Sequence, residues 1–522
     1  MYPELGKIGG RGVVIGRLII VSNRIPEISD KGEDSKIGKG KYTKGSVGGL
    51  VTAIYPALRE KGGIWLGWSG KTAPRQLSLT AKNYLKGNIE FLTIDFTESE
   101  VENYYSGFSN RTLWPLVHSF PTKVRMKDEE YKAYNRVNRK FAEVLYPHLQ
   151  PGDIIWVQDY HLIPLGMNLR KMGWGGPIGF FLHTPFPPSE IFWILPWARQ
   201  MLDDFMCYDL VGFHTEKFRE NFESSLSIDF EGKYENHCFR KGRENLKTGV
   251  YPIGIDPQSF REWSVSPKAL KQVNSIGKYI GDRAMILGVD RLDYTKGIVE
   301  RLKTFERFLE KYPLWKRRVS LIQISSPSRT RITEYINQKR QVEMMVGEIN
   351  GRFADADWTP ISYLYRSYDQ ESLAGFYRSA NICFVSPLRD GMNLVAKEYV
   401  ASQSNNPGVL VLSRFCGAAE YMKEAVIVNP YDLDGTARAL KLALEMPQNE
   451  RKSRWISLME RVERNSAKAW RDRFLSDLTS RQPDFYPDIT LETDGKSLDG
   501  VMVPFGKTRK TDLPFDKNGA ES

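Results

Sequence analysis

The stretch 381–405, NICFVSPLRDGMNLVAKEYVASQSN, sets the plan of the whole chain. Residues 382–385 are an apolar run of strand length, 386–391 a polar turn, and 393–403 a helical pattern. A strand that feeds a helix through a tight loop leaves the backbone N–H groups of Asn393, Leu394 and Val395 without helical partners. The positive end of the helix dipole points the same way, so the loop is shaped to receive a phosphate. Asp390 lies in the loop, where a second sugar could sit, and Glu398 stands more than one turn into the helix, within reach of a sugar hydroxyl beside the phosphates. The plain alternative is an ordinary α/β unit with structural carboxylates, and local pattern alone does not separate the two.

The totals bound the answer. A chain of 522 residues is too long for one hydrophobic core and long enough for two to four domains. With 41% hydrophobic and 26% charged residues it reads as a folded protein, and no apolar run approaches the ~20 residues that span a bilayer. The N-terminus lacks the basic-then-apolar layout of a secretory signal, so the cytoplasm is the expected location and no membrane partner is expected. Cys207, Cys238, Cys383 and Cys416 are scattered without a Cys-x-x-Cys pair, and the histidines lack metal-ligand spacing. Reduced thiols, no metal and no cofactor follow. The net charge of +11 is spread along the chain without a nucleic-acid module, so it suits phosphorylated small substrates better than nucleic acid.

In chain order, 1–16 reads as a flexible leader and 18–21 as a buried strand followed by Ser22-Asn23-Arg24. A long Lys-rich loop then leads to the glycines Gly48 and Gly49, which let backbone approach a ligand and open a helix to about residue 59. Aromatic residues crowd 104–114, and 128–148 reads as an amphipathic helix. Strands at 154–157, 178–182 and 210–213 alternate with helices, which predicts a parallel, doubly wound sheet with ligands at the carboxyl ends of its strands. Asp159 and His183 fall at two such ends. Residues 250–256 read as the crossing into a second α/β series that starts with a strand at 285–289. Directly after it, Arg291 and Lys296 can aim at one pyrophosphate, the first as a fork and the second as a point charge. Helices are expected at 331–350, 432–445 and 451–474. From 482 the chain reads as a disordered tail.

The string LRDGMNLVAKEY (388–399) closely resembles the donor loop of the trehalose-6-phosphate synthases, retaining sugar-nucleotide glycosyltransferases of family 20 with the GT-B fold. SNR at 22–24, GSVGGL at 45–50, WVQDYHL at 156–162, FFLHTPFP at 180–187 and DRLDYTKG at 290–297 match in family order, so the resemblance runs over about 17–480. It implies two Rossmann-like, doubly wound domains facing across a cleft. Residues 17–254 would form the acceptor-binding domain and 255–465 the nucleotide-sugar-binding domain, with a helix at 466–481 returning to the first.

The resemblance implies transfer of glucose from UDP-glucose to glucose 6-phosphate, with retention and by front-face attack. Arg291, Lys296 and the amides at Asn393, Leu394 and Val395 would face the diphosphate, under the loop of Gly48 and Gly49. Asp390 and His183 would hold the donor sugar and Glu398 the ribose. Arg24, Tyr105, Trp114 and Arg329 would take the acceptor phosphate, and Asp159 the acceptor sugar. His183, Arg291, Lys296 and Asp390 form the expected catalytic set. Trp358-Thr359-Pro360 would meet the nucleotide base through backbone groups. Glycerol 3-phosphate as acceptor, GDP- or ADP-glucose as donor, and an inactive sugar-phosphate-binding regulator are the alternatives. A homo-oligomer, dimer or tetramer, is left open.

Overall fold

Alternate residues of the strand Leu18–Arg24 enter different cores: Leu18 and Ile20 one apolar cluster, Ile19 and Val21 another. A strand buried on both faces needs helices on both sides, which is the doubly wound condition. The computed structural model describes residues 16–25, 49–74, 82–228, 233–235, 237–241 and 244–480. The leader to 15, Gly48 with the rest of the loop 26–48, and the tail from 481 lie outside the described residues.

Two sheets carry the fold. In the first the order is Lys82–Lys86, Ile89–Phe96, Gly63–Thr72, Leu18–Arg24, Ile154–Gln158, Ile178–Phe181, Leu210–Phe213, Glu244–Val250, Cys238–Lys241 and Lys233–Glu235. Its centre is parallel, and its edges are antiparallel. The second is wholly parallel: Ile361–Leu364, Val319–Ser326, Ala284–Arg291, Ile382–Val385, Val409–Ser413 and Val426–Val428. Each sheet reverses its winding once, beside Leu18–Arg24 in the first and beside Ala284–Arg291 in the second. Ala284–Arg291 pairs with Ile382–Val385 only at Ile286–Ile382 and Leu287–Cys383, so the strands part toward their carboxyl ends and open a crevice there.

The chain crosses between the sheets twice at one place. Residues 250–256 run beside 465–467, where the amide of Ala467 donates to the carbonyl of Ile255 at 2.8 Å. The expected single helix 451–474 is therefore two, Gln448–Arg464 and Ala467–Thr479, because Ser466 caps the second and the turn is used for the crossing. Ala467–Thr479 then packs on the first sheet, with Trp470 and Phe474 at 4.8 and 4.7 Å from Trp156. Between the strands Ile178–Phe181 and Leu210–Phe213 the chain forms two short helices, Ser189–Phe192 and Ala198–Phe205, with Pro196 between them.

Among the described residues no helix is long and apolar enough to cross a membrane, and no group of three His, Cys, Asp or Glu could hold a metal ion. None of the four cysteines is in a disulfide.

Candidate functional site

The helix of the organising stretch begins at Leu394, with Asn393 as its cap at φ 75°. The Asn393 side chain accepts from the amide of Ala396 at 3.2 Å. That capping takes the third amide and leaves those of Leu394 and Val395 for a ligand. The loop before the helix is hooked to the turn after the strand Ala284–Arg291: the amide of Leu388 donates to the carbonyl of Thr295 at 2.8 Å. Gly297 opens the next helix at φ 62°, and a β-carbon there would lie 2.3 Å from the carbonyl of Ser386. Lys296 is thereby brought to Asp390, Nζ to Oδ2 2.6 Å, and Asn393 Nδ2 donates to the same oxygen at 3.1 Å. Burial works to raise the Asp390 carboxyl, but Lys296 outweighs it and holds the group below its usual value.

Beneath this loop lies Arg301, wholly buried. Its guanidinium donates to the Asp290 carboxylate, to Gln323 Oε1 at 2.8 Å and to Ser386 Oγ at 3.0 Å. One side chain thus ties the carboxyl ends of three strands and fixes the floor of the crevice.

The acceptor candidates form one strip of rings. Arg24 stands 5.1 Å over Trp68 and Trp68 is 5.4 Å from Tyr105. Tyr105 stacks on His161 at 6.1 Å, and His161 lies 3.9 Å from Tyr160. Tyr160 is 5.7 Å from Trp114, and over Trp114 sit two guanidinium groups, Arg329 at 3.9 Å and Arg291 at 5.6 Å. Tyr105 is carried by Val101–Leu113, a π-helix, and Trp114 follows it directly. Wide π turns of this kind are rare and recur at functional sites.

Asp293 joins the two halves. It was not among the sequence candidates, yet it is fully buried and accepts four hydrogen bonds. Oδ1 takes Trp114 Nε1 at 3.4 Å and the amide of Thr295 at 3.0 Å; Oδ2 takes Arg329 Nη1 at 2.9 Å and Tyr335 Oη at 3.0 Å. Burial pushes its carboxyl up, but Arg329, Arg291 and Lys296 together outweigh that and hold it at about 2. Arg329 Nη2 also donates to Tyr160 Oη at 3.2 Å, so this arginine reaches from the second sheet into the ring strip of the first.

Asp159 and His183 end neighbouring strands. Asp159 adopts φ 74°, a strained region for a residue with a side chain, and its carboxylate accepts from the amide of His183 at 3.1 Å. Burial pushes it up to about 6 against the pull of Arg291 and Arg329. His183 Nε2 donates to Gln158 Oε1 at 2.9 Å, and burial lowers the imidazole's affinity for a proton well below the usual value. A neutral ring with that tautomer keeps Nδ1 as an acceptor.

Gly391 of the loop lies against this strand end: a β-carbon there would be 2.0 Å from the carbonyl oxygen of His183. Both partners are backbone, so a Gly391→Ala protein must separate the loop from the strand. Overpacking of this kind costs about 1–3 kcal/mol, and a shift near 1 Å at reacting groups costs up to ~100-fold in rate. We expect Gly391→Ala to lower both the denaturant midpoint and kcat; unchanged kcat in a folded variant would show that the two loops need not touch.

Glu398 stands apart from this cluster. Tyr377 Oη donates to its Oε2 at 2.7 Å, and burial pushes its carboxyl up to about 7. Gly49 begins the helix Gly49–Lys61, and Gly48 falls outside the described residues. The turn 358–360 does not lie where it was expected. It precedes the strand Ile361–Leu364, and Trp358 Nε1 donates to the carbonyl of Val319 at 2.9 Å, at the start of the next strand. That is the amino end of a parallel sheet, opposite the ligand crevice, so the turn cannot meet a base bound there.

Comparison with known proteins bears on the family and the fold. The sequence matches Glycosyltransferase family 20 over residues 16–480. A trehalose-6-phosphate synthase of Sinorhizobium fredii is 42% identical over 473 residues, covering 89% of this chain and 99% of that protein. The crystal structure of a UDP-forming alpha,alpha-trehalose-phosphate synthase from Burkholderia xenovorans in complex with glucose-6-phosphate superposes with a TM-score of 0.83 at 40% identity, covering 89% of this chain and 100% of that one. An E. coli structure bound with UDP-2-fluoro glucose gives 0.83 at 39% identity, covering 90% and 100%. With the GT-B fold and this share of the sequence in common, the chain belongs to glycosyltransferase family 20.

Proposed function

We infer that this protein is a trehalose-6-phosphate synthase, moving glucose from UDP-glucose to the anomeric hydroxyl of glucose 6-phosphate with release of UDP. The observation that carries the reading is the junction at Asp293, where Trp114, at the start of the helix Trp114–Val117, meets Arg329, from the turn after the strand Val319–Ser326, beside Arg291 and Lys296. Two anionic sugars need such a junction, because their phosphates repel and each requires its own cations.

In this reading residues 17–254 bind the acceptor and 255–465 the nucleotide sugar. Arg291, Lys296 and the amides of Leu394 and Val395 face the diphosphate; Asp390 and His183 hold the glucose. Arg24, Tyr105, Trp114 and Arg329 hold the acceptor's phosphate and Asp159 its sugar. The bond from the glucose anomeric carbon to the diphosphate oxygen breaks, and a bond to the acceptor oxygen forms on the same face. The departing diphosphate oxygen takes the acceptor's proton. No protein nucleophile and no metal is used, and the site of action is the cytoplasm.

Purified protein given UDP-glucose and glucose 6-phosphate should release UDP in step with a non-reducing disaccharide phosphate, equally well in excess chelator. No UDP release with this pair would sink the reading; loss of turnover in chelator, restored by magnesium, would sink the metal-free mechanism.

Glu398 supplies a pH signature. A carboxylate accepts from both ribose hydroxyls, whereas the protonated acid competes with one of them. With its carboxyl pushed up to about 7 by burial, the KM for UDP-glucose should rise as pH falls through that value and level off above it. The Tyr377 hydroxyl stabilises the ionised form, so Tyr377→Phe should move the inflection to higher pH. A KM flat between pH 6 and 8.5 would remove Glu398 from the donor site.

A further inference from the structure

The outer face of the helix Asp128–Leu145 carries a groove of about 500 Å3 that the chemistry above does not use. Lys132, Arg136 and Arg139 line one side, and Tyr131 and Trp197 form its floor. The three cations are exposed and have no ion-pair partner among the described residues. Some exposed cations are paired along their helices, as in Lys339–Glu343, Lys441–Glu445 and Lys468–Asp472, and these three are not. Like charges three and four residues apart weaken a helix, and an anion seated between them removes that repulsion. Asp128 also lines the groove, and Glu129 and Glu143, three and four residues from Lys132 and Arg139, are exposed on the same helix.

The floor suits a ring. Tyr131 and Trp197 are half-buried and stacked, with centroids 4.6 Å apart and planes at 19°. Asn135 Nδ2 donates to the carbonyl of Tyr131 at 3.1 Å, which leaves Oδ1 to accept from a hydroxyl or an amine. Behind the floor lies Phe108, 5.1 Å from Tyr131 and 5.6 Å from Trp197. Phe108 belongs to Val101–Leu113, the same π-helix that presents Tyr105 and leads into Trp114.

We propose that this groove is a second ligand site, for a small phosphate ester bearing a ring, and that its occupancy reaches Tyr105 and Trp114 through Phe108. The phosphate meets Lys132, Arg136 and Arg139, the ring covers Trp197, and a polar edge meets Asn135. Nucleotides and sugar phosphates share that chemistry, and the volume is ordinary for ligands of this size, about 300–1,000 Å3.

Calorimetric titration of the full chain tests it without UDP or glucose 6-phosphate, which carry the same phosphate and ring and would fill the groove themselves; a double variant tells binding in the groove from binding in the crevice. The probes are AMP, ribose 5-phosphate and inorganic phosphate alone. AMP or ribose 5-phosphate should bind once per chain, far better than inorganic phosphate, and the stronger of the two names the source. The double variant Arg136→Ala with Arg139→Ala should weaken that binding at least tenfold and leave kcat without probe within twofold of the parent. Absence of binding by both ring probes, binding untouched by the variant, or inorganic phosphate binding as well as either would overturn the site. So would sedimentation showing that the face pairs two chains and that the variant separates them. The binding experiment assumes nothing about the reaction; only the coupling rests on the proposed function. For the coupling, a saturating probe should change the KM for glucose 6-phosphate at least twofold, and an unchanged KM in the presence of binding would overturn the route through Phe108.

Discussion

Arg291→Ala should keep its fold and lose about 100- to 1000-fold in kcat, the usual effect of removing one donor that faces charge developing in a transition state. The stability half follows from its surroundings. Arg291 ends its strand exposed, with no carboxylate in contact among the described residues and the Trp114 ring 5.6 Å away as its packed neighbour. An exposed, unpaired side chain contributes little to folding. The rate half follows from charge matching at the junction. Lys296 is held by Asp390 and Arg329 by Asp293, each within hydrogen-bond distance. Among the described residues Arg291 is the cation there with no counter-charge in contact, so in the proposed function it would meet an arriving diphosphate undiminished. Its effect should fall on kcat more than on the KM for UDP-glucose, because charge on the leaving oxygen grows as the bond breaks. Arg291→Lys keeps the charge and loses the fork, and should recover part of the loss. Steady-state rates of UDP release check both variants. A kcat for Arg291→Ala within tenfold of the parent, with the fold intact, would mean that this side chain does not face the leaving group.

How far the sequence reached can be traced residue by residue. The doubly wound plan was legible because a strand buried on both faces has no polar alternation to hide it. Lys296, Asp390 and Asn393 stood out as candidates because loops at strand ends carry ligand chemistry, and the structure brings Lys296 and Asn393 each to the Asp390 carboxylate. Asp293 was missed although its signal was present: an Asp before a three-residue turn, taking the amide of Thr295 as its cap. What the sequence hides is that the same carboxylate also takes Trp114, 179 positions away. Arg301 left a different trace. It interrupts the apolar stripe Ile298, Leu302, Phe305 and Leu309 of its helix, where a charge survives only if fully paired. The π-helix Val101–Leu113 left none, since its wider turns follow from packing rather than from residue type. The misplacement of Trp358 has the plainest cause: an aromatic before a short strand marks a strand end, but only the direction of the neighbouring strands says which end.

Asp293→Asn is the second large effect, and it acts on folding as well as on turnover. The carboxylate accepts from four donors at once, and three of them, Arg329 Nη1, Trp114 Nε1 and the amide of Thr295, cannot reverse their role. An amide in its place offers one acceptor oxygen, so its NH2 must point at a donor whichever way it is turned. The Arg329 side chain is only 6% exposed and would keep its charge without the partner that balances it. Breaking a buried ion pair from one side costs about 3–5 kcal/mol, and we expect the denaturant midpoint to fall accordingly. Tyr335→Phe removes a hydroxyl that donates to the same oxygen and accepts from Arg329, without changing the charge, and should cost about 1.5–3 kcal/mol, which separates loss of charge balance from loss of hydrogen bonds. On turnover, freeing Trp114 and Arg329 should raise the KM for glucose 6-phosphate much more than the KM for UDP-glucose, because both side chains border the ring strip. Asp293 also gives stability a dependence on pH. Its carboxyl sits at about 2 in the folded chain, below the usual 3.8, so its contribution is present above the unfolded value and is lost as pH falls toward 2. Asp293→Asn should remove that part of the acid sensitivity. If the variant were as stable as the parent, with both KM values unchanged, Asp293 would not be the group that locks the two halves of the crevice together.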